Sequence, residues 1–256
     1  TLWHTLSLHD ALPISWRPAG TDLELRGAYL GARVEDAGRT DKLGAGDVRF
    51  YDNTDHFSYL RLTWRPGGAL REASAAVLHH RLEERVDRYG CAAIESGETL
   101  DPAGCAAREP GAYDRRRVYL DAIDVVGAEV AAVLDFLERR LELAVGGEVY
   151  GDLVDSELRD GRAAGGLVLE PAERGNFSSG SRYLTAGAYA HLTARVWRFG
   201  DAGELRARGG ARLSAFAAAA PDVPGVGDVQ IRHLGAVGSA GLQWLTPDRL
   251  SVFATW

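Results

Sequence analysis

Four groups of side chains in this sequence could do chemistry, and each has a specific geometric requirement. His79-His80 offers two imidazoles, the commonest metal ligands, but neighbours in an extended segment point to opposite faces and cannot share one ion. His56 and His191 are isolated. Cys91 and Cys105 are the only cysteines, with a Gly, Pro and acid-containing stretch between them. They could form a disulfide, remain two free thiols, or serve as a metal pair; no His lies in the intervening stretch. Glu83-Glu84, and Asp152 with Asp155, are paired carboxylates of the kind used in acid–base catalysis. They fall at strand ends beside Arg-rich stretches, where solvated charge is the simpler role. Ser178, Ser179 and Ser181 have no His and acid set nearby, and no Gly-x-Ser-x-Gly elbow, phosphate loop or zinc motif occurs. These residues predict no enzyme and no cofactor.

The elements that must carry these side chains are constrained by composition. The 256 residues have a formal charge of −7 and a pI near 5.5, which argues against a nucleic-acid footprint. Only Lys42 among 29 basic residues is a lysine; with the abundance of Ala, Gly and Arg this fits a GC-rich bacterial genome. No stretch approaches the roughly 18 to 20 apolar residues of a membrane helix. That excludes helical spans and leaves a membrane barrel open.

From Ser181 onward apolar residues recur at every second position: Leu184, Ala186, Ala188, Ala190, Leu192, Ala194 and Val196 alternate with Thr185, Gly187, Tyr189, His191, Thr193 and Arg195. Period two means strand. The same pattern returns around Leu205 to Ala215, Leu234 to Trp244 and Leu141 to Val149. Val130, Val133, Leu134, Leu137 and Leu141 also satisfy a helical spacing, but the alternation from Val126 to Phe136 is longer and matches its neighbours. The expected strands are 23–34, 56–65, 71–85, 117–136, 141–153, 181–197, 204–216, 231–245 and 249–256.

The connections between these strands alternate between long (35–55, 86–116, 154–180, 217–230) and short (66–70, 137–140, 198–203, 246–248). Turn chemistry marks the short ones, as in Pro66-Gly67-Gly68 and Thr246-Pro247-Asp248. In an antiparallel up-and-down sheet this alternation gathers the short turns at one end, as in outer-membrane barrels. Strands entering the short turns finish in Trp64, Phe136, Trp197 and Trp244, as an interfacial aromatic girdle would. Trp197 fits least well, since its parity groups it with Arg195. Sequence parity alone leaves open which face is outside, and soluble barrels also alternate. A soluble barrel, however, has no reason to sort its loops by length.

Particular stretches carry a family resemblance. Gly147-Glu148-Val149-Tyr150-Gly151-Asp152-Leu153-Val154-Asp155-Ser156 is similar to the strand end G-x-E-x-Y-x-D-x-V-D-S that recurs in TonB-dependent outer-membrane receptors. Arg174-Gly175-Asn176-Phe177-Ser178-Ser179-Gly180-Ser181-Arg182-Tyr183 resembles the family's R-G-x-F-x-D-G-S-x-Y loop-to-strand junction, with Ser179 in place of Asp. Asp248 to Trp256 resembles the strand that precedes the family's S-x-G-F-R-A-P segment. The resemblance implies an all-β, antiparallel transmembrane barrel of roughly 22 strands, of which residues 16–256 would supply about nine. It also implies an outer-membrane location and contact with outer-membrane lipid. The transported solute would be a small molecule or metal chelate such as a ferric siderophore, haem or cobalamin. Energy would come from a TonB-type protein acting on a plug region that this sequence does not contain. A passive porin, another outer-membrane barrel and a soluble β-barrel carrier are the alternatives.

Two further expectations follow. Thr5 to Ile14 resembles a translated sequencing-library adapter, so residues 1–15 are read as non-native and His4 and His9 receive no functional weight. With no methionine in the chain, this predicts that the native beginning is missing; the last strand is expected to stop in mid-barrel. Cys91 and Cys105 would fall in one extracellular loop in an oxidising compartment, which favours a disulfide over the other two states; closing a loop of about 15 residues is worth roughly 3 kcal/mol in the chain-entropy model.

Overall fold

The computed structural model describes residues 5–39, 48–90, 115–162, 168–172, 175–246 and 251–255. They form one antiparallel sheet of eleven strands: β1 (Thr5–Trp16), β2 (Leu23–Gly38), β3 (Val48–Trp64), β4 (Leu70–Gly90), β5 (Arg115–Phe136), β6 (Leu141–Arg162), β7 (Glu170–Pro171), β8 (Ser181–Arg198), β9 (Glu204–Val223), β10 (Gly227–Leu245) and β11 (Ser251–Thr255). Each long strand pairs with its neighbours in sequence, and the two-residue β7 extends the ladder beside the tail of β6. β1 and β11 are the two edges.

Nine strands lie where alternation predicts them, and all but the last, expected over 249–256 and described as Ser251–Thr255, run further than it indicates. β5 and β6 have 22 residues each, at least twice the 9 to 11 that cross a bilayer. The connection expected over 217–230 shrinks to the three residues between Val223 and Gly227. The physical reason is visible in Ala217-Ala218-Ala219-Ala220: both parities are apolar, so alternation vanishes while backbone pairing with β10 continues. Residues 5–16 also pair along β2, where no strand was expected. Backbone N–H and C=O groups suffice to build a ladder, so pairing does not require a hydrophobic pattern.

A β-bulge between Arg195 and Trp197 corrects one expectation. Arg195 stands opposite Arg206, whereas Trp197 stands opposite Leu205, so the extra residue moves Trp197 to the face of Leu205. Trp197 thus joins the apolar side that strict parity denied it. At the turn between β5 and β6, three consecutive non-glycine residues, Leu137, Glu138 and Arg139, hold positive φ of 51°, 54° and 64°.

The sheet is a single layer. Among the described residues only Val86 and Val118 are buried hydrophobics, at 7% and 3% exposure. A folded soluble domain of this size would bury a contiguous core between two layers. Here the apolar side chains instead stay exposed along one face.

Candidate functional site

Register assigns every strand residue to one of two faces. One ladder row runs Trp64, Ala73, Ala132, Val145, Ala190, Ala211, Gly238 across β3, β4, β5, β6, β8, β9 and β10. The adjacent row on the other face runs Thr63, Ser74, Ala131, Gly146, Tyr189, Arg212, Val237. The apolar face continues through Leu60, Val77, Val126, Val130, Leu213 and Leu234, all exposed. On β5 this stripe is 126–136, about the 9 to 11 residues needed to cross hydrocarbon as a strand.

The apolar stripe has two distinct limits. At the short-turn end stand Trp64, Phe136, Trp197 and Trp244, each exposed. Trp197, Phe199 and Trp244 form a chain of rings with centroids 6.2 and 6.0 Å apart, and the Trp244 indole donates to the Ala202 carbonyl (2.9 Å). At the other limit one row reads His56, Arg81, Asp124, Leu153, Arg182. Arg81 donates to Asp124 (2.6 Å), and His79 pairs with the same carboxylate at 3.0 Å. His80 points to the opposite face, paired with Asp55 at 2.8 Å. The two adjacent histidines therefore serve separate carboxylates. Among the described residues no group of three or more His, Cys, Asp or Glu is arranged to hold a metal.

The polar face carries compensated charge. Near the short turns Glu24 is only 2% exposed and accepts from Arg17 (2.8 Å), Arg26 (2.6 Å) and Arg65 (3.0 Å). Arg65 also donates to Glu72 at 2.9 Å, Arg71 to Glu142 at 2.7 Å, and Glu204 pairs with Arg195 and Arg206. Midway along, Tyr150 donates to Glu129, Arg212 donates to Glu148, and Tyr183, Phe216 and His233 form an aromatic cluster with centroids 5.9 and 5.5 Å apart. Such a wall of paired charge, hydroxyls and rings suits contact with water.

Past the apolar stripe the strands bear polar residues on both faces. Arg115 forks onto Asp160 through Nε (2.9 Å) and Nη2 (2.8 Å), and this hydrogen bonding holds the Asp160 carboxyl below the usual carboxylate range. Arg116 pairs with Asp87 and lies over the Tyr89 ring at 5.2 Å; burial, ahead of the nearby Asp87 charge, pushes the Tyr89 phenol up.

Two stretches that stand apart in the sequence pack together here. Ser156, at the end of the Gly147–Ser156 motif, donates to Asp121 (2.5 Å) and accepts from the Phe177 N–H (3.1 Å). Asn176 donates to the other Asp121 oxygen at 2.7 Å, and Ser179 donates to Asp155 at 3.3 Å. A Cβ on Gly175 would strike the Ser156 hydroxyl, so glycine is what lets this loop approach. Asp121, Ser156 and Ser178 are buried. The motif residues thus dock a loop to the wall. Asp152 and Asp155 belong to opposite faces, as do Glu83 and Glu84, and neither pair forms an acid–base couple. Cys91 and Cys105 lie outside the described residues.

No family model and no curated protein matches the sequence. Solved structures match the fold. The copper transporter OprC aligns with a TM-score of 0.64 and 14% identity over 95% of this chain and 36% of its own. The unliganded ferric citrate transporter FecA gives 0.60 and 11% over 96% and 34%, and the siderophore receptor PiuA from Acinetobacter baumannii 0.55 and 9% over 92% and 39%. At these identities the likeness concerns the fold, and the chain spans between 34% and 39% of the length of each of those proteins. All three are transporters or receptors rather than enzymes.

Proposed function

We propose that the chain forms part of the barrel wall of a TonB-dependent outer-membrane receptor that imports a scarce solute, a metal chelate or comparable small molecule such as a ferric siderophore, haem or cobalamin. The observation that carries this reading is the two-faced sheet: an exposed apolar stripe about one bilayer tall, closed by aromatic rings at the short-turn end, behind which β2 to β6 and β8 to β10 present polar groups. Lipid covers the apolar face in this reading, Trp64, Phe136, Trp197 and Trp244 lie at the headgroup level, and the polar face lines a hydrated lumen. The long-loop end is extracellular. The solutes named for OprC, FecA and PiuA support metal or chelate cargo.

The energised partner, a TonB-type protein, would act through a plug region of the parent molecule. This chain on its own transports nothing in our reading, because unpaired edges at β1 and β11 would each leave backbone groups in hydrocarbon at several kcal/mol apiece. The test is uptake of a panel of labelled metal chelates by cells expressing the parent gene, with and without the inner-membrane energy transducer. Uptake that stops when the transducer is removed is the expected result. Uptake that continues unchanged points to a passive pore, and uptake by cells carrying only this chain overturns the proposed division of labour.

A further inference from the structure

The apolar face holds a groove that differs from the rest of the band. β9 contributes alanines there, Ala215, Ala217 and Ala219, while Leu184 on β8 and Leu234 on β10 rise on either side. The result is a furrow along β9 with two overlapping hollows of about 350 and 420 Å³, sharing Leu184, Ala217 and Arg232. It opens on the exposed apolar surface, so its occupant must itself be apolar along that length.

The head of the groove is cationic. Arg182 faces Ala219 across the ladder from β8, and Arg232 faces Ala217 from β10, so the two arginines flank β9 one row apart. Strands spaced at ~4.8 Å place their backbones about 10 to 12 Å apart, within which two long guanidinium stems can converge on one anion. The other arginines of this face at and beyond the limit of the stripe are satisfied: Arg81 by Asp124 and Glu83, Arg33 by Glu35, Arg85 by Asp87, and Arg159 by Glu157. Arg182 and Arg232 have no carboxylate partner among the described residues. The carboxylate next along β6 on this face, Asp155, instead accepts the Ser179 hydroxyl. Gln230, opposite Ala219, adds an uncharged donor at the same level.

We infer that this groove binds a phosphate-bearing lipid, with the phosphoryl group held between Arg182 and Arg232 at the level of Ala217 and Ala219 and an acyl chain running down from there past Ala215 and Ala186 beside Leu234. Two guanidiniums at the edge of hydrocarbon, without a carboxylate partner among the described residues, call for an anion, and phosphate accepts their donors in bidentate fashion. An acyl chain is the occupant that the leucine-walled furrow accommodates beneath that anion. The inference rests on the reading that lipid covers the apolar face, and it goes beyond that reading in assigning one lipid class to one place.

The full chain, purified in zwitterionic detergent, would be examined by native mass spectrometry after equilibration with phosphatidylglycerol, phosphatidylcholine or inorganic phosphate. Far-UV circular dichroism and sedimentation with and without detergent run in parallel. The expected result is a folded, detergent-dependent chain that retains phosphatidylglycerol roughly tenfold over phosphatidylcholine, a preference lost in the double variant Arg182→Gln, Arg232→Gln. Arg159→Gln, which removes a guanidinium held by Glu157, should leave it unchanged. Inorganic phosphate should not compete at matched concentration. Equal retention of the two lipids, retention unchanged in the double variant, or displacement by inorganic phosphate alone would each overturn the site while leaving the membrane reading intact. A chain that is folded and monodisperse without detergent would overturn both.

Discussion

Tyr150 folds across the interstrand gap onto Gly127, the residue directly opposite it on β5, so that a Cβ on Gly127 would collide with the tyrosine ring and come within 3.0 Å of Leu78 Cγ. The same arrangement recurs one strand along, where the Tyr189 ring covers Gly146, 2.5 Å from where a Cβ would stand. Both pairs lie on the polar face, so rings shield backbone that glycine leaves bare. Gly127→Ala should therefore force Tyr150 away and weaken its bond to Glu129, costing about 1 to 3 kcal/mol by the usual penalty for overpacking. Urea unfolding in detergent measures it, and an unchanged midpoint would rule the contact out as a source of stability.

The Asp160 pair should make the far end of the sheet acid-labile. Because Arg115 lowers the folded-state value of Asp160, the stabilisation is fully present above the ordinary carboxylate value near 3.8. It is lost as the pH falls through the lower folded value. Hydrogen exchange or limited proteolysis of the 115–117 and 159–162 ladder should show increased opening only below that range. Asp160→Asn should abolish this pH dependence and open the same ladder at neutral pH.

Deleting Val196 provides a test of the bulge. With the extra residue gone, Arg195 can keep Arg206 and Trp197 can keep Leu205 in a regular ladder. In a variant with Trp197 as its sole tryptophan, quenching by brominated detergent should be the same with and without Val196. Loss of quenching on deletion would mean that the bulge does more than restore parity.

The turn at 137–139 stores backbone strain that glycine would relieve. Left-handed φ costs an ordinary residue about 1 to 2 kcal/mol, and Glu138 sits there at 54°. Glu138→Gly should therefore raise the unfolding midpoint by up to about 1 kcal/mol, after subtracting the greater freedom of glycine in the unfolded chain.

Cys91 and Cys105 are expected to form a disulfide. Intact mass after alkylation, with and without reductant, should differ by two alkyl groups. Equal labelling in both samples would show free thiols.

How far residue order alone could lead is clearest from individual cases. Val126 to Phe136 announced β5 because one parity is apolar throughout and the other is not. The tail of the next strand, Val154 to Arg162, did not announce itself, because charged residues occupy both parities while the ladder between β6 and β5 continues to Arg162 and Arg115. Alternation reports contact with an apolar phase, and it falls silent wherever both faces are wet. Trp197 was misassigned because parity counting assumes an unbroken register. Gly175 and Ser156 were legible as motif letters, but not as a contact between a loop and a wall. Arg182 and Arg232 gave no signal at all, since the lack of a carboxylate partner among the described residues depends on neighbours in space rather than in sequence.

The tails of β4, β5 and β6 have a further consequence. Once β5 leaves the stripe at Val126 it continues to Arg115, a run that spans about 25 Å of height for a strand tilted as in a barrel. In the proposed orientation this makes a stiff collar above the lipid, braced by Arg115–Asp160 on one side and Arg116–Asp87 on the other. Anything captured by the loops would first be held at the rim of that collar. It would then descend a chimney of paired charges before it reached the depth of the bilayer.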